Sequence, residues 1–502
     1  MVSTHLRSLP HPCVWLGCAL MTHVVSLRKS ALNAKHTSLY GNGAFESRPS
    51  TRTQEAIADG LRHSAIAGSL APLSRSSASA RAPGTLANAY ALCREATEGS
   101  GLDAQPGKVD WQKTDPLNRQ SLKAVLKAPN NLLGLRAMLC DRFTILLVFY
   151  PAGIAASFLE WDDLAIFWFN FIAMVPLAKI MGDATEELAA GLRSDTIGGL
   201  LNATFGNAVE VLLTIFSLRH GLMDVVKATL LGSCLSNMLL VLGMSFLLGG
   251  LTPVSGTIKL REQQFEAQGA LVNITMLLVA CMSIVLPTVF MGSFDMDSDS
   301  VLIVSRLVSI LVLTSYCAFL VFQLYTHIAL FDSPDEEEEE SSALTVPCSL
   351  ALLCVSSVLV AISSELLVGS IDGTVERSGM PQQFIGIILL PIIGNACEHL
   401  SAVRFAIQDR PALSIGIAVG SSTQIALFVV PFSVVIGWFL DKPLDLDFHP
   451  LNTCVLLMAV LIVFSIVLDG KTHWLEGYML CIAYAIISVL YLFLPEGKAD
   501  FA

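Results

Sequence analysis

Long runs of apolar residues, broken only by short charged or Pro/Gly interruptions, fill the chain from Phe143 to Leu494. A helix that crosses a bilayer needs about 17–25 predominantly apolar residues. Inside lipid every backbone N–H and C=O must find its partner within the protein, which a helix achieves by itself. Read between the breaks, the runs give about eleven candidate spans. They lie near residues 143–158, 164–182, 197–218, 225–249, 267–290, 301–322, 344–368, 384–407, 412–440, 451–468 and 474–494. The composition agrees: 53% of residues are hydrophobic and 14% charged, where a soluble domain carries about 25% charged residues. The fold class expected is an all-α membrane protein in contact with the lipid bilayer.

Residues 1–141 are of another kind, rich in Ser, Ala, Arg and Pro, as in the stretch Ser74 to Pro83. Such composition buries too little apolar surface to fold and predicts a disordered tail. No acidic residue precedes Glu46, whereas Arg7, Arg28 and Lys29 do occur, a bias shared with organellar transit peptides. The tail ends in a basic amphipathic stretch carrying Lys123, Lys127 and Arg136, suited to a cytoplasmic membrane surface. That basic flank places the N-terminus in the cytoplasm. Glu160, Asp162, Asp163, Asp295, Asp297, Asp299, Asp441, Asp445 and Asp447 then fall on the opposite side.

The net charge of -12 argues against a nucleic-acid partner. The 12 cysteines form no C-x-x-C pair, so neither a zinc site nor a redox motif is expected. No H-E-x-x-H or G-x-S-x-G element supports an enzyme, and no cofactor is expected.

The segment from Gly198 to Glu210 recurs from Gly386 to Glu398, each copy ending in Gly-Asn-Ala-x-Glu. Without a gap the match continues to Gly232-Ser233 and Gly420-Ser421, and a looser echo sets Glu186 opposite Glu365. Chance similarity among apolar segments exchanges Leu, Val and Ile; it does not place Gly, Asn, Glu and Gly-Ser twice in one register. The elements fall in the third and eighth spans, an odd number of crossings apart, so the copies enter the membrane from opposite sides. Inverted repeats of this kind hold substrate near the midplane of secondary transporters.

Asn and Glu three residues apart share one helix face. Asn207 with Glu210, and Asn395 with Glu398, can therefore aim side-chain oxygens at one point. Calcium takes six to eight oxygens in flexible geometry, so backbone carbonyls must supply part of the shell. Gly206, Gly394 and Pro391 loosen a helix and free such carbonyls. A carboxylate at the bilayer centre is costly and marks function. Loss of water favours its neutral form and a bound dication its ionised form, so the glutamate pair holds a dication or protons in turn. Glu365, inside an apolar span, and Glu186, beside Glu187 and Asp183, are candidates for proton coupling. His399 is a candidate too, or else a hydrogen-bonded structural histidine. Gly416 and Gly420 read as a helix-packing seam. The run Asp335, Glu336, Glu337, Glu338, Glu339, Glu340 reads as a solvated cytoplasmic linker or a regulatory, cation-collecting segment.

At these residues the chain resembles the vacuolar cation/proton exchanger family of the calcium/cation antiporter superfamily. Gly199 to Glu210 with Gly232 to Asn237 is similar to that family's first signature, and Gly394 to His399 with Gly420 to Gln424 to its second. Cys397 and Leu400 stand where smaller residues are usual. The resemblance implies one leading helix (142–160) and two inverted five-helix repeats (161–331 and 344–495) joined by the acidic linker (332–343). It implies a cation site of Glu210 and Glu398 with Ser233, Ser421 and Gln424 beside Asn207 and Asn395, and proton coupling through Glu186 and Glu365. The activity implied is export of Ca2+, or Mn2+, from the cytosol into an acidic compartment such as the vacuole in exchange for H+. A sodium-coupled exchanger of the same superfamily and a calcium-permeable channel are the alternatives, and a homo-oligomer is compatible with the sequence.

Overall fold

The computed structural model describes residues 129–192, 194–253, 260–294, 298–331 and 342–494. The expected N-terminal tail, up to residue 128, and the acidic run Asp335 to Glu340 lie outside the described residues.

A short helix, α1 (Asn131–Leu139), opens the described chain, its N-terminus capped by Asn130, whose Oδ1 accepts the Leu133 N–H at 3.3 Å. A 3-10 segment, Arg142–Val148, then runs into α2 (Phe149–Phe158). The helices α3 (Asp163–Leu192), α4 (Asp195–Phe205) and α5 (Ala208–His220) follow. Next come α6 (Met223–Leu251), α7 (Ala267–Phe294) and α8 (Ser298–Val321). The second half comprises α9 (Val346–Gly369), the short α10 (Ile371–Ser378), α11 (Gln382–Gly394) and α12 (Ala396–Ile407). It closes with α13 (Pro411–Phe439), α14 (Pro450–Val467) and α15 (Trp474–Leu492). A two-residue antiparallel pairing of β1 (Gln263–Gln264) with β2 (Lys471–Thr472) ties two turns together.

Among the described residues nine helices are long and apolar enough to cross a membrane, and the pair α11–α12, bent by 59°, makes a tenth if taken as one span. The first of the eleven spans expected corresponds to a shorter apolar helix, Arg142–Phe158. Its seven 3-10 residues rise about 2.0 Å each and its ten α-helical residues about 1.5 Å, a reach of roughly 29 Å against a hydrocarbon core of about 30 Å.

Two apolar clusters hold the bundle. One is built on α3, α5 and α9, with Met174, Leu177, Met181, Leu213 and Val360 fully shielded. The other joins α6, α7, α8, α13, α14 and α15 around Leu235, Met238, Leu277, Val419 and Val460. The helix α11 contributes to both, Leu390 and Ile393 to the first and Ile387 and Ile388 to the second. The broken helices are thus wedged between two packed bodies, where the site lies.

The turns sort onto two faces. On the α4 face, Arg261 reaches the Ile407 carbonyl and Asp409, and Gln263 donates to the Ala406 carbonyl at 2.8 Å. On the α11 face, Arg377 pairs with Asp162 at 3.1 Å and Lys227 with Asp445 at 2.6 Å. Residues 444–448, outside any helix, alternate between buried and partly exposed there, with Leu444, Leu446 and Phe448 buried in the core.

Candidate cation site

Both Gly-Asn steps end one helix and begin another. Asn207 and Asn395 take near-identical backbone angles outside the helical range, φ -103°, ψ 22° and φ -89°, ψ 16°. Their carbonyls accept the first bonds of α5 and α12, from the N–H groups of Val211 and His399. The glycine before each break leaves room for a close neighbour. A β-carbon on Gly206 would sit 2.5 Å from the Asn202 carbonyl, and one on Gly394 would sit 2.6 Å from Glu210 Oε1. The second of these contacts brings the two elements face to face, with the Glu210 carboxyl lying against the other copy.

Across this junction Asn207 Nδ2 donates to Gln424 Oε1 at 2.7 Å, while Ser421 Oγ donates to Asn207 Oδ1 at 3.4 Å. In the other direction Asn395 Nδ2 donates to the Ser233 carbonyl at 3.1 Å. Cys234 and Ser422, equivalent positions 188 residues apart, bond reciprocally, each side chain donating to the other's carbonyl at 3.7 Å and 3.4 Å. Reciprocal contact is what residues flanking a two-fold axis make. The helices α6 and α13 also carry matching π turns, at Ser236–Val241 and Ile425–Val429, a feature common at functional sites.

Oxygens without donors collect here. Glu210 is 1% exposed, and neither of its carboxyl oxygens meets a hydrogen-bond partner beyond its own backbone N–H. Glu398 Oε2, Asn395 Oδ1 and Ser233 Oγ are likewise shielded and unpartnered. Buried polar atoms are nearly always satisfied, so so many acceptors at one place signal a missing positive partner. Two carboxylates, an amide oxygen and a hydroxyl are hard oxygen donors, the set that calcium takes. No group of three or more His, Cys, Asp or Glu suited to a metal occurs among the described residues.

The remaining candidates sit apart from this centre. Glu186 is exposed on α3, within electrostatic reach of Glu398. Glu365, its sequence counterpart, is near the end of α9, paired with Arg219 at 3.6 Å and His220 at 3.5 Å. His399 faces α6, with Nε2 3.2 Å from Met244 Sδ. Asn237 belongs to the site although the residue-by-residue reading passed over it: its Nδ2 donates to Ser421 Oγ at 3.0 Å. The signal was present in the Gly232 to Asn237 signature, where it ends the motif.

One expectation is overturned. Gly416 and Gly420 do not form a packing seam, because a β-carbon at either would meet nothing within 4 Å. Gly232, the counterpart of Gly420, is by contrast pressed against the Ile387 carbonyl and Pro391 of α11. The same inequality runs along the broken helices. Ile197 and Leu200 of α4 are 49% and 50% exposed, whereas their equivalents Ile385 and Ile388 in α11 are 0% and 4%. The helix α11 lies along α6, with Gly386 against Ala228. Its counterpart α4 leans instead on α3 and on Leu324, in the π turn Phe322–Thr326 that follows α8.

Comparison with known proteins agrees with this architecture. The sodium/calcium exchanger protein family matches residues 163–325 and 348–493. A Ca(2+)/H(+) antiporter of Aphanothece halophytica is 41% identical over 365 residues, covering 70% of this chain and 96% of that protein. The vacuolar calcium ion transporter of Schizosaccharomyces pombe is 38% identical over 373 residues, 73% of this chain and 89% of the relative. Among solved structures, native YfkE superposes with a TM-score of 0.61 at 34% identity, covering 70% of this chain and 100% of its own; a second crystal structure describes YfkE as a Ca2+/H+ antiporter protein. With paired Gly-Asn-Ala-x-Glu breaks meeting at a cage of unpartnered oxygens, and with this match along both halves, the chain belongs to the sodium/calcium exchanger protein family.

Proposed function

We propose that the protein is a secondary active antiporter that exchanges Ca2+ for H+ across its membrane, with Glu210 and Glu398 as the shared site. The observation that carries this reading is the set of shielded acceptor oxygens on Glu210, Glu398 and Asn395, which meet no donor beyond the glutamates' own backbone N–H groups. A dication satisfies them all at once. In its absence protons do so, since an unpaired carboxylate out of water is too costly to persist. Occupancy by one excludes the other, which couples the two fluxes. Asn207 is already engaged by Ser421 and Gln424, so in this conformation it positions the junction, while Asn395 offers its oxygen to the ion. Glu186, near Glu398, is suited to pass protons to the site; Glu365 plays the matching part when its pairing with Arg219 and His220 is released.

Exchange requires that the site open to one face at a time. The contrast between the close-packed α11 and the exposed α4 is that of a path shut at the α11 face and open at the α4 face. With the basic N-terminal flank placed in the cytoplasm, the α4 face is cytoplasmic and the direction of calcium movement is into an acidic endomembrane compartment such as the vacuole. Manganese, which takes the same oxygen donors, is a second substrate on this reading.

The decisive experiment is tracer calcium uptake by vesicles carrying an imposed pH gradient. Uptake should collapse when the gradient is dissipated and should not be restored by a sodium gradient. Losing one carboxylate from a buried ion contact forfeits about 3 kcal/mol or more, so Glu398→Gln and Glu210→Gln should each cut uptake by at least about 100-fold. Uptake that ignores the pH gradient, or survives either substitution at full rate, refutes the reading.

A further inference from the structure

Arg306 is the one cation in α8, which is otherwise uncharged after Asp299. With the π turn that follows it, this span covers 28 residues, Asp299–Thr326. At 1.5 Å per residue that is about 42 Å, against a hydrocarbon core of about 30 Å. Shared between the two ends, the excess leaves the Arg306 backbone about 4 Å inside the hydrocarbon boundary. The boundary is the one at the α11 face, because the neighbouring Ser305 Oγ accepts the N–H of Leu446 at 3.0 Å. Side chains of a helix lean towards its N-terminus, and the N-terminus of α8 lies on that face. The guanidinium is thereby carried back to the level of the lipid headgroups, as long basic side chains near helix ends are.

What it meets there is incomplete. The guanidinium lies over the ring of Trp438, in the last turn of α13, at 4.9 Å from the ring centroid. Its Nε is shielded and meets no acceptor, and no Asp or Glu pairs with it among the described residues. An aromatic face attracts the cation, but it takes none of the N–H donors, which the guanidinium holds in a planar fork. A buried donor without an acceptor, on a group whose charge is unopposed, asks for an anion. Around the pair the surface is apolar and exposed: Ile303 and Leu307 on α8, Trp438 and Phe439 on α13. A cation and an aromatic ring at headgroup level, flanked by apolar side chains, match a ligand with a phosphate at one end and acyl chains at the other.

We propose that Arg306 and Trp438 form a site for the headgroup phosphate of an anionic membrane phospholipid, in the seam between α8 and α13 on the α11 face. The planar fork of arginine binds phosphate oxygens in pairs, and basic pockets between spanning helices are where lipid headgroups are held. The acyl chains lie along Ile303 and Leu307. Because α13 also carries Ser421 and Gln424, a lipid held here braces the helix that positions Asn207. The proposal depends neither on the identity of the transported ion nor on proton coupling.

The test is thermal unfolding of the purified full chain in a non-ionic detergent, with three probes added in turn: dioleoyl phosphatidic acid, dioleoyl glycerol and glycerol phosphate. A ligand that binds only the folded state raises the unfolding temperature by mass action. Phosphatidic acid should raise it by about 3 °C or more at saturation, whereas dioleoyl glycerol, with tails and no phosphate, and glycerol phosphate, with phosphate and no tails, should not. Arg306→Met keeps a long apolar stem over the ring and should abolish the rise. Trp438→Leu should weaken it, and so should Arg306→Lys, which keeps the charge without the fork and serves if the methionine variant does not fold. Arg377→Met removes an exposed guanidinium from the same face and should leave the rise intact. Full rises in Arg306→Met and Arg306→Lys overturn the site, as does an equal rise with dioleoyl glycerol. A rise with glycerol phosphate alone would make the ligand a free phosphate and overturn the lipid. Equal loss in Arg377→Met would reduce the effect to general attraction by a basic surface and overturn it too.

Discussion

The two halves of the bundle repeat one motif in one register and surround it differently. In the second half the approach to the break is sealed: Gly232 abuts the Ile387 carbonyl, and Ile385 and Ile388 are shielded. In the first, the equivalent Gly420 faces nothing within 4 Å, and Ile197 and Leu200 are half exposed. Asn207 is bonded to Ser421 and Gln424, whereas Asn395 keeps an oxygen free. Glu186 is exposed near Glu398, while Glu365 is held by Arg219 and His220. A shared Gly-Asn-Ala-x-Glu break in unequal surroundings teaches that the motif alone does not set how tightly its approach is packed: α4 carries Asn202 and Thr204 where α11 has Leu390 and Ile392. On the antiport reading the halves exchange surroundings during transport.

The largest way to break this comparison is at the clasp of the sealed half. Lys227, 9% exposed, pairs with Asp445 at 2.6 Å and so ties the start of α6 to the 444–448 segment. Lys227→Met leaves Asp445 without its partner. That carboxylate is partly accessible, so the cost should be about 2–3 kcal/mol, below the 3–5 kcal/mol of a fully buried pair. Thermal unfolding should report the loss, and protease should cut the 444–448 segment sooner than in the unaltered chain. An unchanged unfolding temperature would show that apolar packing of Leu444, Leu446 and Phe448 seals this half alone.

A sharper comparison sets the two glycines side by side. Gly232→Ala forces a methyl into the Ile387 carbonyl and should destabilise by about 1–3 kcal/mol, as overpacking does. Gly420→Ala meets nothing and should gain up to about 1 kcal/mol from helix propensity. Opposite signs in thermal unfolding of the two purified variants are expected; equal signs would mean that the two halves are not trapped in the inequality seen here.

The smallest effect concerns pH. His449 begins α14 on the sealed face, with its Nε2 3.9 Å from Asp224. The Asp224 carboxylate, then Asp447, hold its pKa above the ordinary histidine value, against the opposing effects of burial and Lys227. A histidine raised on folding contributes stability that is complete below its unfolded pKa and is lost as pH rises through the folded value. Stability of the sealed face should thus decline from mildly acidic towards alkaline pH, by under about 1 kcal/mol for a part-exposed pair. His449→Gln should flatten that slope in unfolding temperature against pH, and a slope unchanged by the substitution would remove His449 from the clasp.

Apolar run length was enough to announce a helical membrane bundle, because a bilayer admits few alternatives. The repeated Gly-Asn-Ala-x-Glu pattern announced the site for a related reason: a Glu in an apolar span has no bland explanation. The first expected span, near residues 143–158, corresponds to the apolar helix Arg142–Phe158, shorter than the others. Its 3-10 opening gives reach with fewer residues than an α-helical span needs.

Spacing along a helix is local geometry, so the sequence by itself determined which residues face together: Asn207 with Glu210, Asn395 with Glu398, and Gly416 with Gly420. What those faces meet is long-range and depends on how whole helices lean. Tertiary structure alone decided that Gly394 lies against Glu210, that Cys234 and Ser422 bond across the repeat, and that α11 is sealed while α4 is not. A glycine in the sequence says only that a side chain is absent. Whether a neighbour fills that absence is fixed by packing, and at Gly232 and Gly420 the answers differ.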